Sequence, residues 1–507
     1  MQWRVFGTTE VGSKPLMRAL ITIGFLLMGW AIVAQPYFNN RYDISDTTNL
    51  PDGGQSVLFM DTTILVKGWS SYDTRLINTV KVDPSGNFQS QNLIIHDSLN
   101  YHSGLMHRTA DDKIVMGGYV WKDTIYYPTL YLMNLDGDTL WTESYGTGVG
   151  VYRELGHDAI STQEGGFILI GDSKKDDYPT SDLYLIKTDV NGNVEWDKTI
   201  GGSNTDYGWE IDTIAGGGYA IAGTTWSYGP NADVYVARLD TGGNVMWYDN
   251  IGDQWDDTAF PHVMVTSENK ILFAGANTVN DDVFKYTRKW AALYDTLGNQ
   301  LWEKMYADTG RWTGFSGIVE TNEGDFVLIG VVPDDGPGTA IGDIWKLNNN
   351  GDSIWSREYR LATGSLSMHY TTDIDLTDNN GFVVSGYIQI QPPDTGDQDV
   401  WVVRLDSMGC VTPGCHLVGI EEPMIVDVQL TAYPNPSRGI YTIDLPDIPR
   451  NNSSLKIFNS VGSLVRELSI ADSQSSIVLD ISNEPSGFYL LHLQTNMGIV
   501  LGRVVKE

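Results

Sequence analysis

Short runs of apolar residues alternate with turn residues along most of the chain. Between Gly165 and Trp196, two such runs, Phe-Ile-Leu-Ile and Leu-Tyr-Leu-Ile, flank a polar loop. Short runs that are rich in β-branched and aromatic residues and bounded by Gly, Asn and Asp are typical of β-strands. Asn191-Gly192 follows the second run and predicts a tight hairpin of type I′, because glycine adopts the positive φ angle that this turn requires.

The same pattern recurs in seven units. A glycine that closes one strand returns at intervals of 49 to 56 residues, at Gly68, Gly117, Gly171, Gly223, Gly275, Gly330 and Gly386. The next strand ends in an acidic or amide residue, at Asp83, Asp136, Asp189, Asp240, Asp295, Asn348 and Asp406. A tryptophan then follows in five units, at Trp141, Trp196, Trp247, Trp302 and Trp355. A period near fifty residues is typical of propeller blades.

Each unit is therefore predicted to contain four antiparallel strands, A to D. In the third unit we expect strand A near 157–162, B near 166–171, C near 182–189 and D near 194–199. The predicted fold is all-β, with a seven-bladed β-propeller over residues 35–416, since radial blades leave only short, protected edges. A stacked β-solenoid is the alternative, but its coils are normally shorter than this repeat.

The seventh unit lacks a tryptophan-bearing strand D. Elsewhere this strand carries Trp and Tyr four residues apart, and the same spacing occurs in Phe38-Asn-Asn-Arg-Tyr42 near the other end. We therefore expect the N-terminal strand to complete the last blade and to remove an open sheet edge.

The N-terminus has the features of a secretory signal peptide. Arg18 precedes an apolar run over 19–33, and Ala34 provides a small residue for cleavage. We expect a signal peptide over 1–34, with Met17 as the alternative start. A membrane anchor is the other interpretation, but the apolar run is short for a span, and we expect no stable transmembrane anchor.

The formal net charge of −32 excludes a surface for nucleic acid or anionic membrane, because both would repel the chain. The chain has two cysteines, Cys410 and Cys415. In an exported protein such a close pair predicts a disulfide, and two ligands are too few for a structural zinc site.

The repeats resemble the tryptophan-containing propeller repeats of quinoprotein-like domains and the Gly-Gly-Tyr/Phe repeats common in exported proteins of the Bacteroidetes. The resemblance covers roughly residues 36–410 and implies the fold alone. The residues that would carry a quinone site or an active site are not recognisable in this sequence.

A second domain is predicted after a linker at 417–425. Residues 426–507 alternate apolar and polar positions, which predicts a small immunoglobulin-like β-sandwich. This region also resembles the type A sorting domain of the type IX secretion system, through its Tyr-Pro-Asn-Pro motif, its Pro-Ser-Gly-Phe-Tyr motif and its basic tail. An ordinary immunoglobulin-like accessory domain is the alternative. The motif positions are Tyr433, Pro434, Asn435, Pro436, Gly439, Gly487 and Tyr489.

That resemblance implies a route and two kinds of partner. The family directs passage across the outer membrane after signal-peptide-dependent transfer to the periplasm. A sortase-like peptidase usually removes the domain, and the cargo is released or attached to the cell surface. We therefore expect a secreted or outer-membrane surface protein that contacts the type IX machinery.

The predicted ligand face is the one that carries the long D–A and B–C connections, because functional residues concentrate on loops. Aromatic rings and carboxylates on this face suit a glycan or a protein ligand, although any one ring could instead pack between blades. The candidate residues are Trp209, Trp255, Trp312, Asp206, Asp256 and Asp257.

Two other candidate sites are weaker. Histidines near the starts of A strands could form a metal or acid–base site, or simply line a channel; they are His102, His157, His262 and His369. Asp189, Asn191 and Asn193 resemble the opening of a calcium loop, but Ile200 occupies the position of its distal Glu. We therefore expect no cofactor, with calcium as the alternative.

The leading hypothesis is a binding module rather than an enzyme. The linear motifs of serine hydrolases, zinc proteases and phosphate-binding loops are absent from the sequence. The alternative is a polysaccharide hydrolase or lyase that uses carboxylates of the long-loop face, since such pairs come from different blades and leave no linear pattern.

Overall fold

The fold is given by a computed structural model that describes most of the chain from residue 37 onwards. The segments outside the description are 1–36, 43–51, 71–75, 96–99, 123–124, 147–150, 176–178, 230, 253–260, 281–284, 307–312, 334–338, 361–366, 391–397, 413–414, 416–424, 446–452, 460–463, 472–473 and 496–497. The predicted signal peptide and most of the predicted linker lie outside it.

The chain divides into two compact units, one up to Pro413 and one from Gly414. The described part of the first unit opens with β1 (Phe38–Tyr42) and continues with four-stranded antiparallel sheets. The first sheet contains β2 (Asp52–Met60), β3 (Thr63–Ser70), β4 (Leu76–Val82) and β5 (Phe88–Ile95). The second contains β6 (Asn100–Arg108), β7 (Lys113–Lys122), β8 (Ile125–Asn134) and β9 (Thr139–Ser144).

The next three sheets have the same strand order. The third contains β10 (Val151–Ser161), β11 (Phe167–Lys175), β12 (Asp182–Thr188) and β13 (Val194–Ile200). The fourth contains β14 (Asp206–Thr213), β15 (Tyr219–Thr225), β16 (Asp233–Leu239) and β17 (Val245–Ile251). The fifth contains β18 (His262–Val265), β19 (Ile271–Asn280), β20 (Lys285–Tyr294) and β21 (Gln300–Tyr306).

Two further groups of four strands meet through one parallel residue pair, Ala340 with Met368. The first group contains β22 (Gly314–Glu320), β23 (Phe326–Pro333), β24 (Ala340–Leu347) and β25 (Ser353–Tyr359). The second contains β26 (Ser367–Leu376), β27 (Phe382–Ile390), β28 (Gln398–Leu405) and β1. An all-β fold of repeated four-stranded sheets is consistent with the predicted propeller.

The predicted pairing of the N-terminal strand is confirmed. β1 runs antiparallel to β28, with Phe38 opposite Arg404 and Tyr42 opposite Val400. Phe38 is 7% exposed and belongs to a core that contains valines of both the first and the last repeat. The strand therefore occupies the position of a strand D and contributes its aromatic ring to the core.

The turn after β12 differs in conformation from the expected type I′ hairpin. Of its residues, Gly192 alone has a positive φ, of 84°, whereas a type I′ turn requires two such residues. The Asp189 carboxylate accepts the N–H groups of Asn191 and Asn193 at 2.8 and 2.9 Å. This side chain stabilises a type I turn followed by a glycine bulge, so the prediction of type I′ was wrong. In the second repeat the same capping position is held by Asn134, not Asp136.

The recurring Trp and Tyr of strand D contact the turn of the following repeat. A Cβ on Gly192 would lie 3.1 Å from the Trp141 ring, and the Tyr145 hydroxyl donates to the Gly192 carbonyl oxygen at 3.1 Å. Tyr306 and Tyr359 donate in the same way to Gly351 and Gly409 at 2.8 and 2.7 Å. The Trp and Tyr that lie four residues apart in the sequence therefore both contact the neighbouring repeat.

The two cysteines form the predicted disulfide, and Cys410 is fully buried. In the described part of the chain, no helix is long and apolar enough to cross a membrane.

The second unit consists of two sheets around one apolar core. The larger sheet has the order β29-β36-β35-β32-β33 and the smaller the order β30-β31-β34. The bounds are β29 (Ile425–Gln429), β30 (Thr431–Tyr433), β31 (Ile440–Asp444), β32 (Ser453–Asn459), β33 (Leu464–Ile470), β34 (Ser476–Asp480), β35 (Gly487–Thr495) and β36 (Gly498–Lys506). This arrangement is a β-sandwich; its likeness to immunoglobulin domains stays a prediction.

The Tyr-Pro-Asn-Pro motif connects the start of this unit to its last strand. Both X-Pro bonds of the motif are cis. The Asn435 side chain donates to the Arg503 carbonyl oxygen and accepts the Val505 N–H, each at 2.9 Å. In the second motif, Tyr489 is buried and donates its hydroxyl to the Pro485 carbonyl oxygen at 2.6 Å. These motif residues therefore hold the sandwich together.

Candidate functional site

The first strand of six repeats contains a β-bulge, and the recurring glycine of the second strand lies beside it. At Gly171 a Cβ would lie 1.8 Å from the Leu155 carbonyl oxygen, so only glycine fits. A bulge redirects the side chains that follow it. The register shifts occur at Gly54/Ser56, Ser103/Met106, Gly156/Asp158, Gly208/Glu210, Phe315/Gly317 and Thr371/Asp373.

The residues after most of these bulges line one cavity of about 420 Å³. Its wall is formed by the first strand of every four-stranded group, namely β2, β6, β10, β14, β18, β22 and β26. We call this cavity the channel. In a propeller, the innermost strand of each blade faces a common central cavity, and the first strands of these groups are arranged in this way.

Carboxylates of the channel wall bind the backbone of the neighbouring first strand. Asp212 accepts the Val265 N–H at 2.6 Å, and Asp375 accepts the Phe59 N–H at 2.7 Å. Asp373 accepts both the Ser56 hydroxyl, at 2.6 Å, and the N–H of the next residue, at 2.9 Å. These carboxylates connect adjacent repeats, and the last two connect the final repeat to the first.

Burial disfavours the charged form of these groups. Burial raises the pKa of Asp373 to about 7 and that of Asp212 and Asp375 to about 6. For His107, burial alone would lower the pKa, but the charge of Asp158 and a 2.8 Å hydrogen bond to it outweigh burial and raise the pKa to about 9. The channel therefore holds acidic and basic groups that titrate near neutral pH.

A second cavity, of about 290 Å³, adjoins the channel at the starts of the first strands. We call it the mouth; it lies on the side of the D–A connections. Trp209 and His157 line it with ring centroids 4.5 Å apart, and His262 lines it as well. The Trp209 indole N–H donates to the Thr224 hydroxyl at 2.9 Å, which fixes the ring orientation. The mouth thus combines a large aromatic ring with two imidazoles.

Each mouth histidine is held by a carboxylate. The His157 Nε2 lies 3.0 Å from Asp172, which is 1% exposed, and the His262 Nδ1 lies 2.6 Å from Glu210. For His262, burial lowers the pKa, but the charge of Glu210 and its hydrogen bond outweigh burial and raise the pKa. In the described part of the chain, the second ring nitrogen of each histidine has no hydrogen-bond partner, so it is available to a ligand.

Arg153 extends this cluster. Its guanidinium donates to Asp172 at 2.8 Å and lies 5.7 Å from the centre of the Tyr207 ring. Burial alone would lower the Arg153 pKa, but Asp172 outweighs it and raises the pKa. Asp172 therefore orients both a guanidinium and His157 at the edge of the mouth.

The structure describes two of the six predicted ligand residues. Trp209 lines the mouth, where its ring could bind a ligand. Asp206 is 4% exposed and accepts hydrogen bonds from Thr225, from Gly202 at 2.9 Å and from Ser227 at 2.7 Å. The remaining four, Trp255, Asp256, Asp257 and Trp312, lie outside the described residues.

The four histidines named from the sequence do not form one cluster. His157 and His262 meet at the mouth, but His369 is 1% exposed and packs against the Trp401 ring with centroids 5.3 Å apart. The side chain of His102 lies outside the description. Among the side chains that are described, no group of three or more His, Cys, Asp or Glu is arranged to hold a metal ion.

The sequence analysis missed His107, Arg153, Asp172 and the channel carboxylates. The sequence analysis named His102, which lies before the bulge between Ser103 and Met106, whereas His107 lies after it. The bulge changes which residues of the strand face inwards. Asp172 follows a recurring glycine directly, and this position could have identified it as a second-strand residue beside the bulge.

Residues 431–507 match the family described as the secretion system C-terminal sorting domain. This match indicates export to the cell surface or secretion. No curated protein matches the chain.

Several solved structures are similar to a part of the chain. An ulvan lyase, a polysaccharide lyase, is 9% identical, with a TM-score of 0.44 over 73% of this chain and 98% of its own. An α-L-arabinofuranosidase of Fusarium graminearum is 12% identical, with a TM-score of 0.43 over 74% of this chain and 100% of its own. A quinohemoprotein alcohol dehydrogenase from Pseudomonas putida HK5 is 10% identical, with a TM-score of 0.39 over 74% of this chain and 76% of its own. At these values the likenesses say nothing about what this chain binds or catalyses.

Proposed function

We propose that the chain is an exported seven-bladed β-propeller, closed by β1, that binds a glycan at the mouth of its channel. The observation that carries this proposal is the Trp209 ring beside His157 and His262 in one cavity. Binding sites commonly combine an apolar or aromatic wall with a few oriented polar groups. The apolar face of a sugar ring stacks on indole, while its hydroxyls bind imidazole nitrogens.

A glycan fits this cavity better than an extended protein surface. The mouth is small, concave and polar on one side, whereas protein interfaces bury about 800 Å² on each partner. The oriented donors and acceptors match hydroxyl groups, which both donate and accept. A protein ligand remains the alternative occupant of the wider loop face.

Glycan arrays probed with the full-length secreted protein would test the proposal. We expect binding to at least one glycan, and Trp209→Ala should weaken it at least about tenfold because it removes the stacking surface. Val194→Ala, at a half-exposed position on an outer strand, is the control and should bind normally. Failure of every glycan to bind, or equal binding by Trp209→Ala, would contradict the proposal.

The second candidate function is a polysaccharide-active enzyme. His157 favours it, because a histidine held by a buried carboxylate and free at its other nitrogen has the arrangement of a general base. The Asp206 carboxylate expected for this role is occupied by protein donors. Turnover of a bound polysaccharide that is lost in His157→Gln, with binding retained, would establish this function and displace the binding module.

For export, we propose that residues 1–34 are a signal peptide and that the propeller occupies 35–416. The protein would then pass through the periplasm to the type IX machinery by means of its domain at 426–507, which follows the linker at 417–425. A sortase-like peptidase would remove that domain. The match of residues 431–507 to a sorting domain supports this route. Mass spectrometry of the secreted protein should find its C-terminus near the linker; an intact C-terminus would contradict the removal.

A further inference from the structure

Three tyrosines of the fourth sheet form one cluster at its outer edge. The Tyr235 ring stacks on Tyr228 and on Tyr248, with centroids 5.7 Å apart in both pairs, and the two outer rings are 5.2 Å apart. Tyr235 is 4% exposed, whereas Tyr228 and Tyr248 are 39% and 51% exposed. The buried ring therefore supports two rings that face solvent.

Further rings connect this cluster to the mouth. Tyr207 lies 5.8 Å from Trp209 and 5.7 Å from Trp226, measured between ring centroids. Trp226 and Tyr228 belong to the same B–C loop. The rings therefore form two groups, one at the mouth (Trp209, Tyr207 and Trp226) and one at the outer strand β17 (Tyr228, Tyr235 and Tyr248), and this loop joins them; together we call them the aromatic row.

The loop that carries Trp226 and Tyr228 is fixed in place by polar contacts. Asp206 accepts the Ser227 hydroxyl at 2.7 Å, and Asn204 donates its side-chain amide to the Trp226 carbonyl oxygen at 2.8 Å. The Trp226 N–H donates to the Thr205 carbonyl oxygen at 2.9 Å. The rings are therefore held before a ligand arrives, which reduces the entropy lost on binding.

We propose that the aromatic row binds an extended chain of neutral sugar residues, from the mouth to Tyr248. This inference rests on the proposed function and specifies its ligand as a polymer. The row crosses from β14 to β17, which are three strand spacings apart, or about 14 Å. A single sugar ring cannot cover that distance.

The charge of the surroundings selects a neutral polymer. The carboxylates of Asp182 and Asp206 lie close enough to Tyr228 to raise its pKa, together with burial, which is the larger cause. The chain as a whole has a net charge of −32. An acidic polysaccharide would be repelled along this row, whereas a neutral one carries no charge to be repelled.

Affinity electrophoresis of the full-length protein in gels with laminarin, xyloglucan, galactomannan or alginate would test this inference. We expect at least one of the three neutral polymers to retard the protein, and alginate to retard it less. Tyr228→Ala and Tyr248→Ala should each weaken retardation about tenfold, the change that 1.4 kcal/mol of lost contact produces. Tyr248→Phe should retain it, because the ring remains.

Met246→Ala is the matched control, since Met246 is 57% exposed on the same strand β17 but carries no ring. Equal melting temperatures of the variants exclude unfolding as the cause of lost retardation. If Trp209→Ala abolishes retardation while both tyrosine variants bind as wild type, the row is refuted and the mouth stands. If alginate retards most, the neutral ligand is refuted. If none of the polymers retards the wild type although a short glycan binds on the array, the row is refuted and the mouth stands.

Discussion

The hydroxyl of Tyr42 donates a hydrogen bond to the carbonyl oxygen of Gly86 at 2.8 Å. Tyr145 of the second repeat makes the same contact with Gly192 of the third repeat. Tyr42 belongs to the strand that pairs with the last repeat, and Gly86 belongs to a turn of the first. The contact between neighbouring repeats is therefore also made between the two ends of the first unit.

Removing this hydroxyl should destabilise the protein modestly. Tyr42→Phe loses the bond to the Gly86 carbonyl and the bond that the Asn40 amide donates to the hydroxyl, but Asn40 still donates to Gly86 at 3.1 Å. We therefore expect a loss of about 0.5–1.5 kcal/mol of unfolding free energy. Tyr306→Phe removes the equivalent bond to Gly351 and is the matched control. Chemical denaturation should give similar losses for both variants.

The ring of Phe38 should matter more than the hydroxyl of Tyr42. Phe38→Ala leaves a cavity in a core shared by the first and last repeats, so we expect a loss of about 3–5 kcal/mol. An unchanged denaturation midpoint in Phe38→Ala would mean that β1 does not stabilise the folded protein.

Much of the fold could be predicted because each recurring residue acts locally. Gly171 leaves room for the neighbouring strand, Asp189 caps its own turn, and Trp141 covers the turn of the next repeat. Each of these roles recurs with the repeat and leaves a periodic pattern in the sequence. The turn type was wrong because the Asp189 side chain, rather than the Asn-Gly pair, sets the backbone of that turn.

Stability should fall as the pH rises from about 4 to 9. The raised pKa values of Asp212, Asp373 and Asp375, at about 6, 7 and 6, favour the protonated folded state. Their contribution is complete below about pH 4, the pKa of these groups in the unfolded chain, and is lost as the pH rises through 6–7. The raised pKa of His107, at about 9, adds stability that is complete below about 6.5 and is lost as the pH rises through 9.

Melting temperatures measured across this pH range check the prediction. Asp373→Asn should flatten the curve between about pH 4 and 7, and His107→Gln should flatten it between about pH 6.5 and 9. A melting temperature that rises steadily over the whole range would show that the channel groups are not buried in this way.

Asp206 should act as a positioning residue for the loop that carries Trp226 and Tyr228. Asp206→Ala removes the acceptor of three hydrogen bonds and leaves buried donors unsatisfied, at a cost of about 1–3 kcal/mol. Asp206→Asn keeps one acceptor oxygen and should lose less. Denaturation measures the loss, and faster hydrogen exchange at residues 226–228 locates it. Normal exchange there in Asp206→Ala would contradict this role.

Deletion of residues 426–507 should leave the first unit in the periplasm. The division of the chain near Pro413 and the match of residues 431–507 to a sorting domain predict that passage beyond the periplasm depends on this segment. Immunoblots of cell fractions would locate the truncated protein, with the full-length chain carrying the same tag as the control. Surface display of the truncated protein would refute the sorting role.

The mouth could be predicted only in part, because its residues come from different repeats. Trp209 was identified because the sequence analysis assigned it to a long connection, although the structure places it inside strand β14 (Asp206–Thr213). His157 and His262 were named, but their carboxylate partners Asp172 and Glu210 were not. Those pairings depend on how a bulge rotates a strand and on which repeat lies beside it, and neither leaves a periodic pattern.

The pairing of β1 with β28 also determines the order in which the first unit can be completed. The Trp401 indole donates to the Asn39 side chain at 2.6 Å, and these residues are 362 positions apart in sequence. During synthesis, β1 emerges before every strand of its own sheet. Its edge has no partner until β28 of the last repeat has been made. The final folding step is therefore a long-range closure, which is slow in proteins rich in non-local contacts, and in an unfinished chain the vacant edge belongs to β1.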